Sequence, residues 1–349
     1  MKNIEPPRII DLQLTYRCNL RCKICAQWGD EGAFKHLTAD IINKNELHTD
    51  DWIFIIKQAA VFKPLIKIWG GEPLLHEGFR EISEAISRFG LKAEIVTNGY
   101  FLGKYTDELM RGHFQTIHVS LDGDEKKHDE IRGTGGLYAR IKTGAAKLSE
   151  FKKSDGALRV NLLCVIQKNN QDILDKILEA AAELKADSIV FAPLMFMENR
   201  RLCEQKLFTE KYLHFKWESD SSWDVIKYGA EPDKTAAFIK KLPLVYKGVH
   251  AQTNLPKNAD LKSWQYETDT VFGYSSCRVP WYKMNIMPDG ECNFCMDFPG
   301  YNLGNIKTDT LLDIWNGEKA GKYRQVIETH RLTPVCRRCI WLYNKSPET

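Results

Sequence analysis

The first 195 residues alternate short strand-like segments with longer helical patterns, and this alternation restricts the fold more than any other feature of the sequence. Segments rich in β-branched and apolar residues predict six strands, at 8–15, 65–70, 92–99, 115–123, 159–167 and 187–195. Helical patterns lie between them, at 49–62, 76–90 and 172–186. Strands that alternate with helices run parallel and are joined by right-handed crossovers. The pattern therefore predicts an α/β protein with a partial (β/α)6 TIM-like barrel over residues 1–195.

The alternation stops after residue 195. Residues 196–276 are predicted as a connecting region that is first irregular and rich in aromatic residues, and then holds a helix at 233–242 and a strand at 248–255. From Cys277 to residue 349 the sequence predicts a small α+β module, with a hairpin that turns at residues 288–290 and a helix at 309–330. Five of the ten cysteines of the chain lie in this module.

Charge and composition exclude several classes of partner. The 49 basic and 46 acidic residues leave a formal charge of +3, which is too balanced to indicate a nucleic acid or an anionic membrane as a partner. The sequence shows neither the pattern of a signal peptide nor an apolar run long enough for a transmembrane helix. We therefore expect a cytoplasmic protein, in which clustered cysteines are more often metal ligands or redox groups than disulfides.

Three cysteines directly follow the first predicted strand, at Cys18, Cys22 and Cys25, in a C-x3-C-x2-C spacing. A structural zinc site or a ferredoxin cluster uses four ligands. Three thiolates on a [4Fe–4S] cube leave one iron open, and an open iron can bind a small chelating molecule. In a βα barrel this end of the strand is where the chemistry takes place. A partial zinc site or three buried thiols are the structural alternatives.

This loop resembles the signature of the radical S-adenosylmethionine (SAM) superfamily. In that family SAM chelates the open iron, and its reductive cleavage gives methionine and a 5′-deoxyadenosyl radical that abstracts hydrogen from the substrate. Further motifs match in order at the ends of the following strands: GGEP at 70–73, TNG at 97–99 and SLDG at 120–123. The resemblance implies that the contacts to SAM come from Gly70, Gly71, Glu72 and Pro73, from Thr97 and Asn98, from Ser120 and Asp122 at the ribose, and from Ile166 and Met195 at the adenine.

The C-terminal cysteines allow two interpretations. The C-x2-C pairs Cys292/Cys295 and Cys336/Cys339 are typical of a four-thiolate zinc site, although forty residues separate them and Cys277 is left over. Alternatively, Cys277, Cys295, Cys336 and Cys339 resemble the ligand set of a twitch domain, a shortened SPASM domain that carries one auxiliary [4Fe–4S] cluster. This second interpretation implies two [4Fe–4S] clusters in the whole chain and leaves Cys292 in the core.

The resemblance implies a radical SAM oxidoreductase that abstracts hydrogen from a substrate carbon with help from the auxiliary cluster, and that receives electrons from a flavodoxin or ferredoxin. We expect a small polar metabolite of the sugar or cyclitol type, because little sequence precedes the first strand. One alternative is an epimerase of a sugar or a peptide, with Cys203 as the candidate catalytic hydrogen-atom donor. The others are a maturase of ribosomally made peptides and a zinc or iron–sulfur scaffold without catalysis.

Replacing Cys18, Cys22 and Cys25 together by Ala should remove one of the two clusters and abolish SAM cleavage, because no other cysteines occur near the end of the first strand. Iron and sulfide content and 5′-deoxyadenosine formation by anaerobically reconstituted protein measure the two effects. Cys164→Ala, a change in the middle of a predicted strand, serves as the control and should keep both clusters. If the triple variant still forms 5′-deoxyadenosine, the SAM site lies elsewhere.

Overall fold

One sheet forms the centre of the protein. The structure, a computed structural model, describes residues 4–155, 158–217, 222–296 and 300–343. The strands within these residues are β1 (Ile9–Gln13), β2 (Leu65–Trp69), β3 (Lys92–Thr97), β4 (Phe114–Ser120), β5 (Arg159–Ile166), β6 (Ser188–Pro193), β7 (Val245–Tyr246), β8 (Val249–Thr253), β9 (Lys283–Ile286), β10 (Glu291–Asn293) and β11 (Gly304–Asn305). Their spatial order is β11-β10-β9-β1-β2-β3-β4-β5-β6-β8-β7. The run from β9 to β8 is parallel throughout, and β10, β11 and β7 add antiparallel strands at the two ends.

Helices lie around this sheet. In the described residues they are α1 (Ala39–Asn45), α2 (Thr49–Ala59), α3 (Phe79–Arg88), α4 (Thr106–Arg111), α5 (Glu125–Arg132), α6 (Leu137–Asp155), α7 (Leu174–Glu183), α8 (Asn199–Leu213), α9 (Pro232–Lys241), α10 (Leu261–Tyr266), α11 (Leu311–Asn316), α12 (Glu318–His330) and α13 (Ile340–Tyr343). None of these helices has both the length and the apolar character that crossing a membrane requires.

The two faces of the sheet differ in polarity. Ile10 and Leu12 of β1 are fully buried in one hydrophobic cluster with Trp52 of α2 and Phe79 of α3, so this face packs against the helices. Because successive residues of a strand point to opposite faces, the residues between them face the interior. Asp11 is one of these residues. A barrel of this type builds its active site at the carboxyl ends of its strands.

The predicted α/β fold is confirmed, and all six strands predicted in the first 195 residues are present. The sheet is larger than expected, however, because β8 pairs with β6 and β9 pairs with β1. The predicted connecting region and the predicted C-terminal module therefore each contribute a parallel strand to the barrel. Residues 297–299 and 344–349 of that module lie outside the described residues.

Two helical predictions differ from the structure. The stretch after residue 195 that was expected to be irregular contains the 15-residue helix α8. The helix predicted over 309–330 is divided into α11 and α12 at Gly317, which has an extended backbone (ψ 166°) and caps both helices. A residue in extended conformation cannot continue the helical hydrogen-bond ladder, so the helix ends there.

A buried ion pair joins the C-terminal module to β1. Lys283 of β9 and Asp11 of β1 are each 1% exposed, and their Nζ and Oδ2 atoms are 2.6 Å apart. The Lys283 ammonium also lies 3.2 Å from the ring centre of Trp341. Two charges in this setting stabilise the fold only as a pair, because either charge alone would be buried without compensation.

Lys283→Met should lower the free energy of unfolding by at least about 3 kcal/mol, because the substitution leaves the Asp11 carboxylate buried and unpaired. The double variant Asp11→Asn/Lys283→Met should recover part of that loss. Urea unfolding under anaerobic conditions measures both effects. Lys142→Met is the matched control, since its partner Glu183 and Lys142 itself are about half exposed, and it should cost less than about 1 kcal/mol.

Candidate functional site

The loop after β1 presents its three thiols to hydrogen-bond donors. The Sγ of Cys18 accepts from the Leu20 N–H at 3.4 Å, and the Sγ of Cys25 accepts from the Trp28 N–H at the same distance. Burial raises the pKa of the Cys18 thiol to about 12 and also raises that of Cys22. Coordination to a metal displaces such a proton, and the N–H donors then face thiolate sulfurs, which they stabilise.

The GGEP segment lies directly against this loop. The Gly71 N–H donates to the Thr15 carbonyl at 2.9 Å, and the Glu72 N–H donates to the Arg17 carbonyl at 2.7 Å. A Cβ atom on Gly71 would lie 2.1 Å from the Arg17 carbonyl oxygen, so only glycine fits at this position. The motif after β2 therefore fixes the path of the chain immediately before Cys18.

The Glu72 side chain joins the second motif to the third. It is fully buried, and its carboxylate accepts hydrogen bonds from the Thr97 hydroxyl at 2.7 Å, the Asn98 N–H at 2.7 Å and the Leu74 N–H at 3.2 Å. Burial raises the pKa of this carboxyl to about 7, although the three hydrogen bonds favour the charged form. These contacts occupy the carboxylate, so the main-chain carbonyl groups of residues 70–73 are better candidates to accept from an ammonium group.

Asn98 extends the connection to the cysteine loop. Its Nδ2 donates to the Asn19 side-chain oxygen at 2.9 Å and lies 4.0 Å from the Sγ of Cys18. Its Oδ1 accepts from the Tyr100 N–H. The sequence-predicted residues of the first three motifs are thus brought together in one hydrogen-bonded region at the carboxyl ends of β1, β2 and β3.

Asp122 is held by other protein groups. It is 1% exposed, and one carboxylate oxygen accepts from the Val165 N–H at 2.9 Å while the other pairs with Arg132 at 2.6 Å. Its own N–H donates to the His128 ring, which burial keeps neutral by lowering its pKa to about 3. Ser120, at the end of β4, is half-buried and is the more accessible of the two predicted ribose contacts.

Arg132 lies beside the cysteine loop although it belongs to none of the cofactor motifs. One guanidinium nitrogen pairs with Asp122, and another lies 3.8 Å from the Sγ of Cys22. This places a positive charge, with a side chain that is 14% exposed, beside the predicted cluster. In the sequence this arginine belongs to the HDEIRG segment at 128–133. Only the fold shows that its side chain contacts the cysteine loop.

The remaining predicted positions differ in their surroundings. Ile166 is 1% exposed and packs in the hydrophobic cluster on the helix-facing side of the sheet, which disfavours it as an adenine contact. Its neighbour Val165 packs instead in a second cluster with Ile24 of the cysteine loop. Met195 is half-buried just after β6, and Cys203 is exposed on α8. An exposed thiol does not meet the usual requirement that a radical site excludes water.

Four C-terminal cysteines surround one cavity. Cys277, Cys295, Cys336 and Cys339 line it together with apolar and aromatic side chains, among them Phe294. Burial raises the pKa of the Cys277 thiol to about 12. In contrast, Cys292 is fully buried in the main hydrophobic cluster, and its Sγ lies 3.7 Å from the Gly290 carbonyl oxygen.

This donor set fits an iron–sulfur cluster better than zinc. The zinc alternative needed Cys292 and Cys295 on one ion, but Cys292 does not line the cavity. Thiols spread around an apolar cavity suit a cluster of several irons, in which each thiolate binds a different iron.

Family models identify both cysteine regions. The model of the radical SAM superfamily matches residues 12–186, half of the chain. The chain belongs to the radical SAM superfamily. The SPASM model, described as an iron–sulfur cluster-binding domain, matches residues 277–340. SAM, a SAM-binding [4Fe–4S] cluster and an auxiliary cluster are therefore the cofactors of this radical SAM enzyme, as the motifs predicted.

Relatives with different activities resemble the chain over different lengths. The PqqA peptide cyclase of Rhizobium meliloti (strain 1021) is 29% identical over 346 residues, which are 97% of this chain and 81% of the relative. The AdoMet-dependent heme synthase of Methanosarcina barkeri (strain Fusaro / DSM 804) is 32% identical over 183 residues, 52% of this chain and 48% of the relative. The match to the heme synthase thus spans about half the length of each protein.

Solved structures share the fold. Streptococcus suis SuiB bound to S-adenosylmethionine superimposes with a TM-score of 0.63 at 18% identity, covering 91% of this chain and 68% of SuiB. AnSMEcpe with bound AdoMet and the Cp18Cys peptide gives a TM-score of 0.62 at 16% identity, covering 97% of this chain and 87% of that protein. At these identities the likeness concerns the fold.

Cys295→Ala and Cys336→Ala should each damage the auxiliary cluster but leave the enzyme able to cleave SAM, because these cysteines lie in a cavity apart from the loop after β1. Iron content and the formation of 5′-deoxyadenosine without product distinguish the two effects. Cys292→Ala is the matched control, expected to keep the cluster and to cost about 1 kcal/mol or slightly more of stability. The ligand set is wrong if Cys292 proves essential for the cluster and Cys277 dispensable.

Proposed function

We propose that this radical SAM enzyme modifies a peptide, as a maturase of a ribosomally made precursor. The observation that carries the proposal is the similarity to PqqA peptide cyclases, which extends over nearly the whole chain and includes both cysteine regions. A second such cyclase, from Granulibacter bethesdensis (strain ATCC BAA-1260 / CGDNIH1), is 25% identical over 351 residues and 97% of this chain. These relatives favour a peptide over the sugar or cyclitol that the sequence analysis expected.

Residues of the chain prepare the site for this chemistry. When bound, SAM and its cluster supply a carbon radical that takes a hydrogen atom from a substrate carbon, and the auxiliary cluster supplies an acceptor for one electron. Arg132 is paired with Asp122, and its other guanidinium nitrogen faces Cys22, where it stabilises a thiolate sulfur. Glu72 holds the second and third motifs together, and the Phe294 side chain helps to keep water from the second cysteine set.

We propose a reaction that removes two hydrogens from the peptide, as an oxidation or a cross-link does. One hydrogen leaves as an atom, and the other leaves as a proton and an electron. An epimerisation would instead need a hydrogen-atom donor within the site, and the candidate for that role, Cys203, is exposed. The proposal retains a flavodoxin or ferredoxin as the electron donor and a cytoplasmic setting, where thiols stay reduced.

Co-expression of the enzyme with each short peptide encoded beside its gene tests the proposal. Mass spectrometry should find one peptide lighter by two hydrogens, and the Cys18→Ala/Cys22→Ala/Cys25→Ala variant should leave that peptide unchanged. A product of unchanged formula that carries one deuterium after reaction in heavy water would indicate an epimerase. If no encoded peptide is modified and a sugar or cyclitol is oxidised instead, the peptide proposal fails.

A further inference from the structure

Four polar side chains form a group on the inner face of the sheet, near the carboxyl ends of β9, β1 and β2. We call Asp11, Gln13, Trp69 and Asn285 the inner polar group. Asp11 is in register with Asn285 of β9, and Gln13 is in register with Trp69 of β2. Because Ile10 and Leu12 face the helices, Asp11 and Gln13 point to the opposite face.

Hydrogen-bonding atoms of this group are buried without partners. Among the described residues, no hydrogen bond reaches Asp11 Oδ1, Gln13 Oε1, Gln13 Nε2, Trp69 Nε1 or Asn285 Oδ1. Asp11, Gln13 and Asn285 are each only 1% exposed. Buried polar atoms in folded proteins are normally paired, and several unpaired atoms on neighbouring strands therefore point to a ligand that completes them.

The group connects the two cysteine regions. Gln13 is the last residue of β1, directly before the chain enters the cysteine loop. The other oxygen of Asp11 is bound by Lys283, which itself lines the cavity of the C-terminal cysteines. A substrate held by the inner polar group would therefore lie close to both the SAM site and the auxiliary site.

We propose that the inner polar group binds a backbone amide of the peptide substrate, an inference that rests on the proposed function. The oxygens of Asp11, Gln13 and Asn285 are acceptors for a peptide N–H, and the nitrogens of Gln13 and Trp69 are donors to a peptide C=O. A peptide unit offers one donor and one acceptor in a fixed plane, so it can pair with the acceptor oxygens and with the donor nitrogens of the inner polar group. An anionic ligand offers acceptors alone and would face the Asp11 carboxylate.

Two small probes test the hydrogen bonds directly. The first is N-acetyl-triglycine amide, and the second is its ester analogue, in which an oxygen replaces the central N–H. Saturation-transfer NMR of the probe protons, recorded under anaerobic conditions without a reductant, gives their dissociation constants for the reconstituted enzyme with SAM. The wild-type enzyme should bind the amide roughly threefold to tenfold more tightly than the ester, the range expected for one net hydrogen bond.

Gln13→Leu and Asn285→Leu should each lower the ratio of the ester's dissociation constant to that of the amide towards one. A purely structural defect would weaken both probes and leave their ratio unchanged, so the ratio separates recognition from misfolding. Gln252→Leu on β8, an exposed glutamine on a strand that is not a neighbour of β1, is the control and should keep the wild-type ratio.

Equal binding of the two probes by the wild-type enzyme, or an unchanged ratio in both variants, would overturn the inference. If an encoded peptide is nevertheless modified, the proposed function stands and only amide recognition by this group fails. If neither probe binds and myo-inositol binds instead, both proposals fail.

Discussion

Strand β1 must be hydrogen-bonded on both sides, and the arrangement of both cysteine regions depends on how it meets this requirement. On one side it pairs with β2, which leads into the GGEP segment, and on the other it pairs with β9, which begins the C-terminal hairpin. Tyr16, just beyond β1, donates from its hydroxyl to Asp289 in the turn of that hairpin. The loop with Cys18 and the cavity with Cys277 are thus positioned relative to each other by one strand.

Charges inside the protein are matched locally, and each match joins parts of the site that are distant in sequence. Asp122 holds Arg132 beside Cys22, and Asp11 holds Lys283 beside the second cysteine region. Buried pairs of this kind contribute little net stability, since desolvation of the charges offsets their attraction. Their effect here is geometric: each pair requires two strands or a strand and a helix to adopt one relative position.

The sequence predicted what local patterns encode. The six strands follow from apolar residues that face the helices, and the four cysteines that share a cavity were implied by the resemblance to a twitch domain. The β9–β1 pairing was not predictable, because the local sequence of residues 283–286 does not indicate that the strand pairs with one about 270 residues away. The contact between Arg132 and Cys22 was not predictable for the same reason, since it exists only after α5 has packed against the barrel. The motifs did not indicate the class of substrate, because their residues are the predicted contacts to the cofactors.

The order of the chain has a consequence for biosynthesis. β1 leaves the ribosome before β9, its neighbour on one side, which follows about 270 residues later. At roughly 5–20 residues per second, synthesis of this interval takes about 15–55 seconds. During that time β1 is an edge strand, so its backbone N–H and C=O groups on one side are unpaired. The Asp11 carboxylate also has no counter-ion. Strand β1 therefore stays unpaired on one side until synthesis reaches roughly the last fifth of the sequence, and the C-terminal cysteines can be positioned relative to the cysteine loop only after that stage.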